Sequence, residues 1–172
     1  MALILPHHGI TPTVPDTAWL APNATVIGDV VLGEHASLWF NVVARGDVNF
    51  IRIGDRSNVQ DNSTIHVSVE TWPTILGNDV IAGHNVLLHG CTVRDRVLIG
   101  MGATLMDGVE VGEESIVAAG SLVSPHTRIP PRSLALGRPA RVVRRVTDAE
   151  VEDLILFGVR AYLDYKETYP RD

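Results

Sequence analysis

Aliphatic residues recur along most of this chain at every sixth position, often followed by glycine, with a small or branched residue four places on. The run Val26, Leu32, Leu38, Ala44 carries Val30, Ala36, Val42 and Val48 at that second position. Past Arg45–Asp47 the phase slips by three and resumes at Ile53, Val59 and Ile65, with Ser57 and Ser63 alongside. After "VSVETWP" it resumes at Leu76, Ala82 and Leu88, then runs through Val93, Ile99, Leu105, Val111, Val117 and Val123. A period of six held over about 100 residues fits neither an amphipathic helix nor an alternating strand. It predicts a solenoid of short strands and sharp turns whose every sixth residue points inward.

The pattern resembles the hexapeptide left-handed parallel β-helix, an all-β solenoid, from about Val14 to Val143. Three hexads then make one triangular coil. Gly28, Gly33, Gly54, Gly77, Gly100 and Gly112 suit corners that need an unusual backbone or a close approach. Beyond the repeat, "RIPPRSLALGRPA" predicts a stiff, proline-rich connection. "TDAEVEDLILFGVRAYLDYKETY" predicts a C-terminal α-helix, opened by Thr147 and Glu150 at capping-box spacing. Val151, Leu154, Ile155, Val159, Tyr162 and Leu163 form its apolar stripe, which must lie on the side of the prism or on a neighbouring subunit. The expected division is a β-helix over 1–143 and a packed helix over 144–172.

Composition narrows the reading. At 172 residues the chain holds one full core, and its 5% aromatic content suggests a thin one filled by Val, Ile, Leu and Ala. A net charge of −6 and a pI near 5.6 argue against nucleic acid as a partner. The arginines of "GRPARVVRR" read as a local patch, solvated or self-paired. A single cysteine, Cys91, excludes an intrachain disulfide framework and fits a reducing compartment; among apolar neighbours it reads as core rather than as a nucleophile. No apolar run approaches the roughly 20 residues that span a bilayer, and "MALILPHHG" is too short for a secretory signal. A cytoplasmic protein without membrane partners is expected.

Stacking the hexads places the histidines. The hexads starting at Ala44, Ile65 and Leu88 overlie one another if the residues after Asp47 and after Val67 are loops thrown outward. Arg45, His66 and His89, each next to an inward residue, then share a column. Asp61 and His84, each two places after an inward residue, share a second column one face round. Coils sit about 4.8 Å apart, so His66 and His89 can converge on one zinc ion. His84 points from another face and would complete the site of the next chain if three prisms pack around a threefold axis. Arg45, Asp47 and Asp61 read as a structural ion pair between subunits. Gln60 either orients a metal-bound water or is a structural amide. His7, His8, His35 and His126 fall outside both columns and read as surface or terminal residues.

"WFNVVARGD", "NVQDNSTIH", "GHNVLLHGC" and "LIGMGATLMDGVEV" resemble the gamma-class carbonic anhydrases over almost the whole chain, the C-terminal helix included. The resemblance implies a homotrimer with His66, His84 and His89 as metal ligands, His84 coming from the adjacent subunit. It implies Zn²⁺, or Fe²⁺ or Co²⁺, as the metal, and Arg45, Asp47 and Asp61 as the interface salt bridge. It also implies that Gln60 hydrogen-bonds metal-bound solvent and that Tyr162 lies near the site. The implied reaction is reversible hydration of CO₂ to bicarbonate by hydroxide on the ion, whose bound water has a pKa lowered to about 7. The chain departs from the pattern in lacking two acidic groups: Val48 follows the Arg-x-Asp triad, and Val69 stands near the proton-shuttle position of a shortened loop. Glu70 is the nearest carboxylate there, and slow turnover is the expected consequence. Two other functions remain open. One is a hexapeptide acyltransferase or thioesterase acting on acyl-CoA, by fold analogy; the other is a non-catalytic metal-binding trimer.

Overall fold

The six-residue period becomes rungs of two or three strand residues joined by turns. Coil upon coil, they build a parallel β-solenoid of about seven turns with a single C-terminal helix. The structure, a computed structural model, describes residues 1–169. Rungs stack in parallel register on three faces. On the first, Val26, Ala44, Ile65, Leu88, Leu105 and Val123 lie one above another with no exposed surface. Leu32, Ile53, Leu76, Val93, Val111 and Ile129 line the second face. Leu38, Val59, Ala82, Ile99, Val117 and Ala135 line the third. Branched side chains facing one another across so narrow a prism form the core.

Two expected loops differ in kind. Residues after Asp47 are not thrown outward: Val43–Ile53 is one continuous strand, and the extra residues are taken up as a register shift opposite Gly28–Val30. Between the pairs Gly28↔Gly46 and Val30↔Ile51, Asp29 alone faces Asp47 to Phe50, which accounts for the phase slip of three. Arg52 holds this bulge by donating to the Asp29 carboxylate at 2.7 Å. Residues 68–73 do form a loop, closed by Ser68 N–H donating to the Trp72 carbonyl at 2.9 Å.

Corners divide the work between residue types. Gly54 makes room: a Cβ there would lie 2.4 Å from the Gly77 carbonyl carbon and oxygen of the coil above. The left-handed backbone conformation falls two residues later, on His35, Arg56, Asp79, Arg96, Glu114 and Arg132 up one edge, with φ between 53° and 60°. Opposite charges there pair between coils. Arg56 grips Asp79 through two bonds of 2.7 and 2.8 Å, and Arg132 reaches Glu114 at 2.8 Å.

The proline-rich connection is itself regular: Ser133–Gly137 and Ala140–Arg145 pair as an antiparallel hairpin on the last coil. A capping box at Thr147 and Glu150 starts the helix, and Arg144 donates twice to the Glu150 carboxylate. The helix opens as Asp148–Glu150, widens to a π-helical stretch over Val151–Leu156, and continues α-helical through Phe157–Lys166. Val151 and Ile155 pack against Ile116, Leu98 and Leu134, and the wider turn carries Leu154 of the expected stripe out to solvent. Running back down the third face, the helix passes Gly158 over Ile81 and sets Tyr162 edge-on to Trp39 at 4.9 Å. It ends with buried Lys166 donating to the carbonyls of Thr17 and His35 at 3.0 and 3.2 Å. The stripe therefore lies on its own prism. Six of the nine aromatic residues (Trp19, Trp39, Phe40, Tyr162, Tyr165, Tyr169) gather under this helix end, outside the prism.

Candidate metal centre

His66 ends the strand Thr64–His66, and His89 ends Leu87–His89 one coil above, paired residue against residue. Inward Ile65 and Leu88 anchor the rungs, so the two imidazoles project side by side with ring centroids 5.0 Å apart. His66 Nδ1 lies 3.1 Å from His89 Nε2. Each outer nitrogen meets a carboxylate: His66 Nε2 lies 3.1 Å from Asp47 Oδ1, and His89 Nδ1 lies 2.7 Å from Asp107 Oδ1. Ionised carboxylates only accept, so the outer nitrogens carry hydrogens and the inner pair is left to share a proton or a cation. Two ligands on one tetrahedral ion with bonds of 2.0–2.1 Å stand about 3.3 Å apart. This pair of nitrogens fits that spacing.

Burial raises the pKa of the Asp47 carboxyl, but hydrogen bonds from Arg45 and His66 outweigh it and hold the group below the ordinary carboxylate value. Asp107 behaves alike: burial raises it, and bonds from His89 and Ser68 pull it lower. Arg45 bonds Asp47 within the chain. Among the described residues of one chain it makes no hydrogen bond or ion pair with Asp61, which lies on the second column.

His84 sits at a corner turn, where its Nδ1 lies 2.7 Å from Asp61 Oδ2, while Asp61 Oδ1 accepts from Phe40 N–H at 3.3 Å. Among the described residues of one chain, no three His, Cys, Asp or Glu side chains converge to hold a metal. The chain thus presents two imidazoles on one face and a third elsewhere. Buried Gln60 donates from Nε2 to Asn58 Oδ1 at 3.0 Å. Together with His84 and Tyr162 it borders a cavity of about 360 Å³ whose other walls are Ile81, Leu98, Met101, Ile116 and neighbouring small residues. Burial, with the Asp61 carboxylate nearby, pushes the Tyr162 phenol up to about 12, so its hydroxyl keeps its proton.

Glu70 stands exposed in the 68–73 loop with φ of 56°, and among the described residues no hydrogen bond or ion pair joins it to His66, His84 or His89. Cys91 is fully buried, which pushes its thiol up to about 12 and leaves it protonated at neutral pH. His126 lies against Trp72, ring centroids 5.4 Å apart. His7 packs edge-on to His8, and His35 is exposed.

Sequence reasoning missed Asp107 and Ser68. A signal for the former was present: Leu88 stacks under Leu105, so counting two further puts Asp107 above Gly90, where no side chain competes for the space.

The model of the bacterial transferase hexapeptide family, six repeats, matches residues 90–125. A carbonic anhydrase of Geobacillus kaustophilus is 47% identical over 152 residues, covering 88% of this chain and 83% of that protein. The mitochondrial gamma carbonic anhydrase 1 of Arabidopsis thaliana is 50% identical over 145 residues, covering 81% of this chain; the chain spans about half (53%) of that plant relative's length. Among solved structures, a Bacillus cereus protein assigned to the acetyltransferases superposes with a TM-score of 0.91 at 43% identity, covering 98% of this chain and 99% of that one. The fold and repeat define a hexapeptide-repeat β-solenoid protein. Within that class the chain belongs to the gamma-class carbonic anhydrase family. No helix among the described residues is long and apolar enough to cross a membrane.

Proposed function

We propose that the chain assembles as a homotrimer and catalyses reversible hydration of CO₂ to bicarbonate, at a divalent ion held by His66 and His89 of one copy and His84 of the next. The observation that carries this is the 3.1 Å gap between His66 Nδ1 and His89 Nε2, with both outer nitrogens on carboxylates. Zn²⁺ suits three imidazoles, as do Fe²⁺ and Co²⁺; such an ion offers an open coordination position and lowers the pKa of water there to about 7.

The chain's own groups do the rest. Asp47, Asp107 and Asp61 each hold one ring nitrogen of His66, His89 and His84, fixing which nitrogen stays free. Across the subunit boundary, Arg45 with Asp47 joins Asp61 in a salt bridge that seats one prism on the next. Gln60 spends one N–H on Asn58, and its remaining N–H and carbonyl orient solvent and bicarbonate. Tyr162, held neutral, donates a hydrogen bond at the edge of the site. The aliphatic cavity beside them suits CO₂, which has no dipole to solvate. Proton export falls to Glu70 on its exposed loop, since Val48 and Val69 cannot relay a proton, and turnover is slow for that reason. The single, buried cysteine fits a reducing compartment such as the cytoplasm.

Stopped-flow CO₂ hydration on zinc-loaded and anaerobically iron-loaded protein tests the reaction; no rate above buffer with either metal overturns it. Acetyl-CoA consumption without hydration would replace it by acyl transfer. Subunit sharing has its own test, because His66→Ala and His84→Ala protein are each inactive alone. Mixed and reassembled one to one, they regain about one quarter of the wild-type rate, the statistical share of intact interfaces in a cyclic trimer. No recovery places all three ligands on one chain.

A further inference from the structure

We infer that Asp107 is the positioning residue of this centre: its carboxylate fixes the His89 tautomer, Ser68 fixes the carboxylate, and Gly90 is a glycine to admit it. The inference rests on the metal-binding half of the proposed function. A free imidazole places its proton on either nitrogen. Here His89 Nδ1 faces Asp107 Oδ1 at 2.7 Å, and a carboxylate without a proton cannot face a lone pair at that distance. The proton therefore sits on Nδ1, and Nε2 turns its lone pair towards His66.

The carboxylate does not choose this place by chance rotation. Ser68 Oγ donates to the same Oδ1 at 2.8 Å, and the Ser68 carbonyl is held by Asn49 Nδ2 at 3.1 Å. From above, His126 N–H donates to the Asp107 carbonyl at 2.8 Å. Below, a Cβ on residue 90 would lie 2.2 Å from Asp107 Oδ1 and 2.8 Å from Trp72 Cβ. Gly90 also holds φ of 59°. Up the same edge Gly108, one coil above, holds φ of 68°, and His126, two coils above, holds φ of 59° with a full side chain, so left-handed geometry alone does not demand glycine. The space taken by Asp107 does. Because Ser68 opens the 68–73 loop, the same bond ties the loop bearing Glu70 to the orientation of His89.

The test uses Asp107→Ala, Asp107→Asn and Ser68→Ala in the full-length protein. In metal-free wild type, ¹⁵N NMR of the His89 ring shows the proton on Nδ1; in Asp107→Ala it moves largely to Nε2. Zinc affinity, read by competition with a chromophoric chelator, falls about 10–100-fold in Asp107→Ala. Asp107→Asn loses less, because its carbonyl still accepts from Nδ1–H. Urea unfolding of the metal-free variants checks that none has lost the fold, and Ser68→Ala serves if Asp107→Ala has. A wild-type His89 protonated on Nε2, or zinc affinity within twofold of wild type in all three variants, overturns the inference. Absent CO₂ hydration with tautomer and zinc affinity as stated would sink the catalytic reading and leave this one standing. A wild type that binds no divalent ion would sink the metal reading, and the tautomer measurement would still decide the role of Asp107.

Discussion

Two glycines separate what the corners of this solenoid require. Gly102 holds φ of 69°, and a Cβ there meets nothing within 4 Å. Gly54 has an ordinary φ, but a Cβ there lies 2.4 Å from both carbonyl atoms of Gly77. Gly102→Ala therefore pays a left-handed penalty of about 1–2 kcal/mol, partly offset by about 0.4–1 kcal/mol from a stiffer unfolded chain; the net loss is about 1 kcal/mol. Gly54→Ala must open a backbone gap by 0.6 Å merely to reach the 3.0 Å below which Cβ contacts essentially never occur. Gly54 N–H donates to Leu76 at 2.8 Å across that gap, and Asp55 N–H to Asn78 Oδ1 at 2.8 Å. Stretched by that much, both leave the usual range of about 2.7–3.2 Å. Losing two such bonds in a partly buried corner costs about 1–3 kcal/mol each, so about 2–6 kcal/mol in all. Urea unfolding at one fixed protein concentration measures both variants against wild type, with equal slopes required for comparison. A Gly54→Ala midpoint at or above that of Gly102→Ala refutes the reasoning.

Three further outcomes follow from the same contacts. Glu150 is held down to about 2 from 4.5 by Arg144 and by the Thr147 amide; its contribution is whole above pH about 4.5 and is lost as pH falls from there towards about 2. Protection factors of amides in 148–156, corrected for the intrinsic exchange rate at each pH, therefore fall over that window, and in Glu150→Gln they are lowered at all pH values; protection that stays flat in wild type contradicts the assignment. Removing metal with a chelator lowers the Tm by about 5–10 °C, taking about 2.7 kcal/mol for an ion at a hundred times its Kd and about 2–4 °C per kcal/mol at this size. An unchanged Tm in a sample shown to be metal-free argues against the shared site. Lys166→Met keeps the stem but removes a charged donor from two carbonyls, costing about 2 kcal/mol, and hydrogen exchange in 159–166 reports the loosened helix end.

The stacking of His66 on His89 and of Val59 on Ala82 was legible because coil register is arithmetic: inward residues fix it, and neighbours follow. Arithmetic does not say how extra residues are stored. The three after Asp47 read as a loop and are instead a bulge in a continuous strand, since Asp29 and Arg52 offer that stretch a bonded partner. Likewise the helix stripe was counted at α-helical period, and the π-helical stretch moved Leu154 out of it. Register places Asp107 in the stack but does not show what it bonds. It stands above Gly90 rather than above His89, and only the direction of its side chain brings it to the ring.

The division of the histidines between two columns carries a thermodynamic consequence under the proposed function. His66 and His89 alone give an ion two nitrogens, and His84 alone gives one. Neither half-site reaches the three protein ligands of a catalytic zinc centre. Each neighbouring copy then raises the affinity of the other's ion, and by linkage each ion tightens the subunit contact by the same factor. Asp61 has a place in both equilibria: it holds His84 Nδ1 at 2.7 Å and supplies the carboxylate that Arg45 would meet across the boundary. Asp61→Asn should therefore lower zinc affinity and trimer stability together, whereas Asp107→Ala acts on the ligand and leaves the contact to follow. Sedimentation at graded protein concentrations, with and without zinc, separates the two. Equal effects of both variants on metal-free assembly would show that the carboxylates do not divide their tasks in this way.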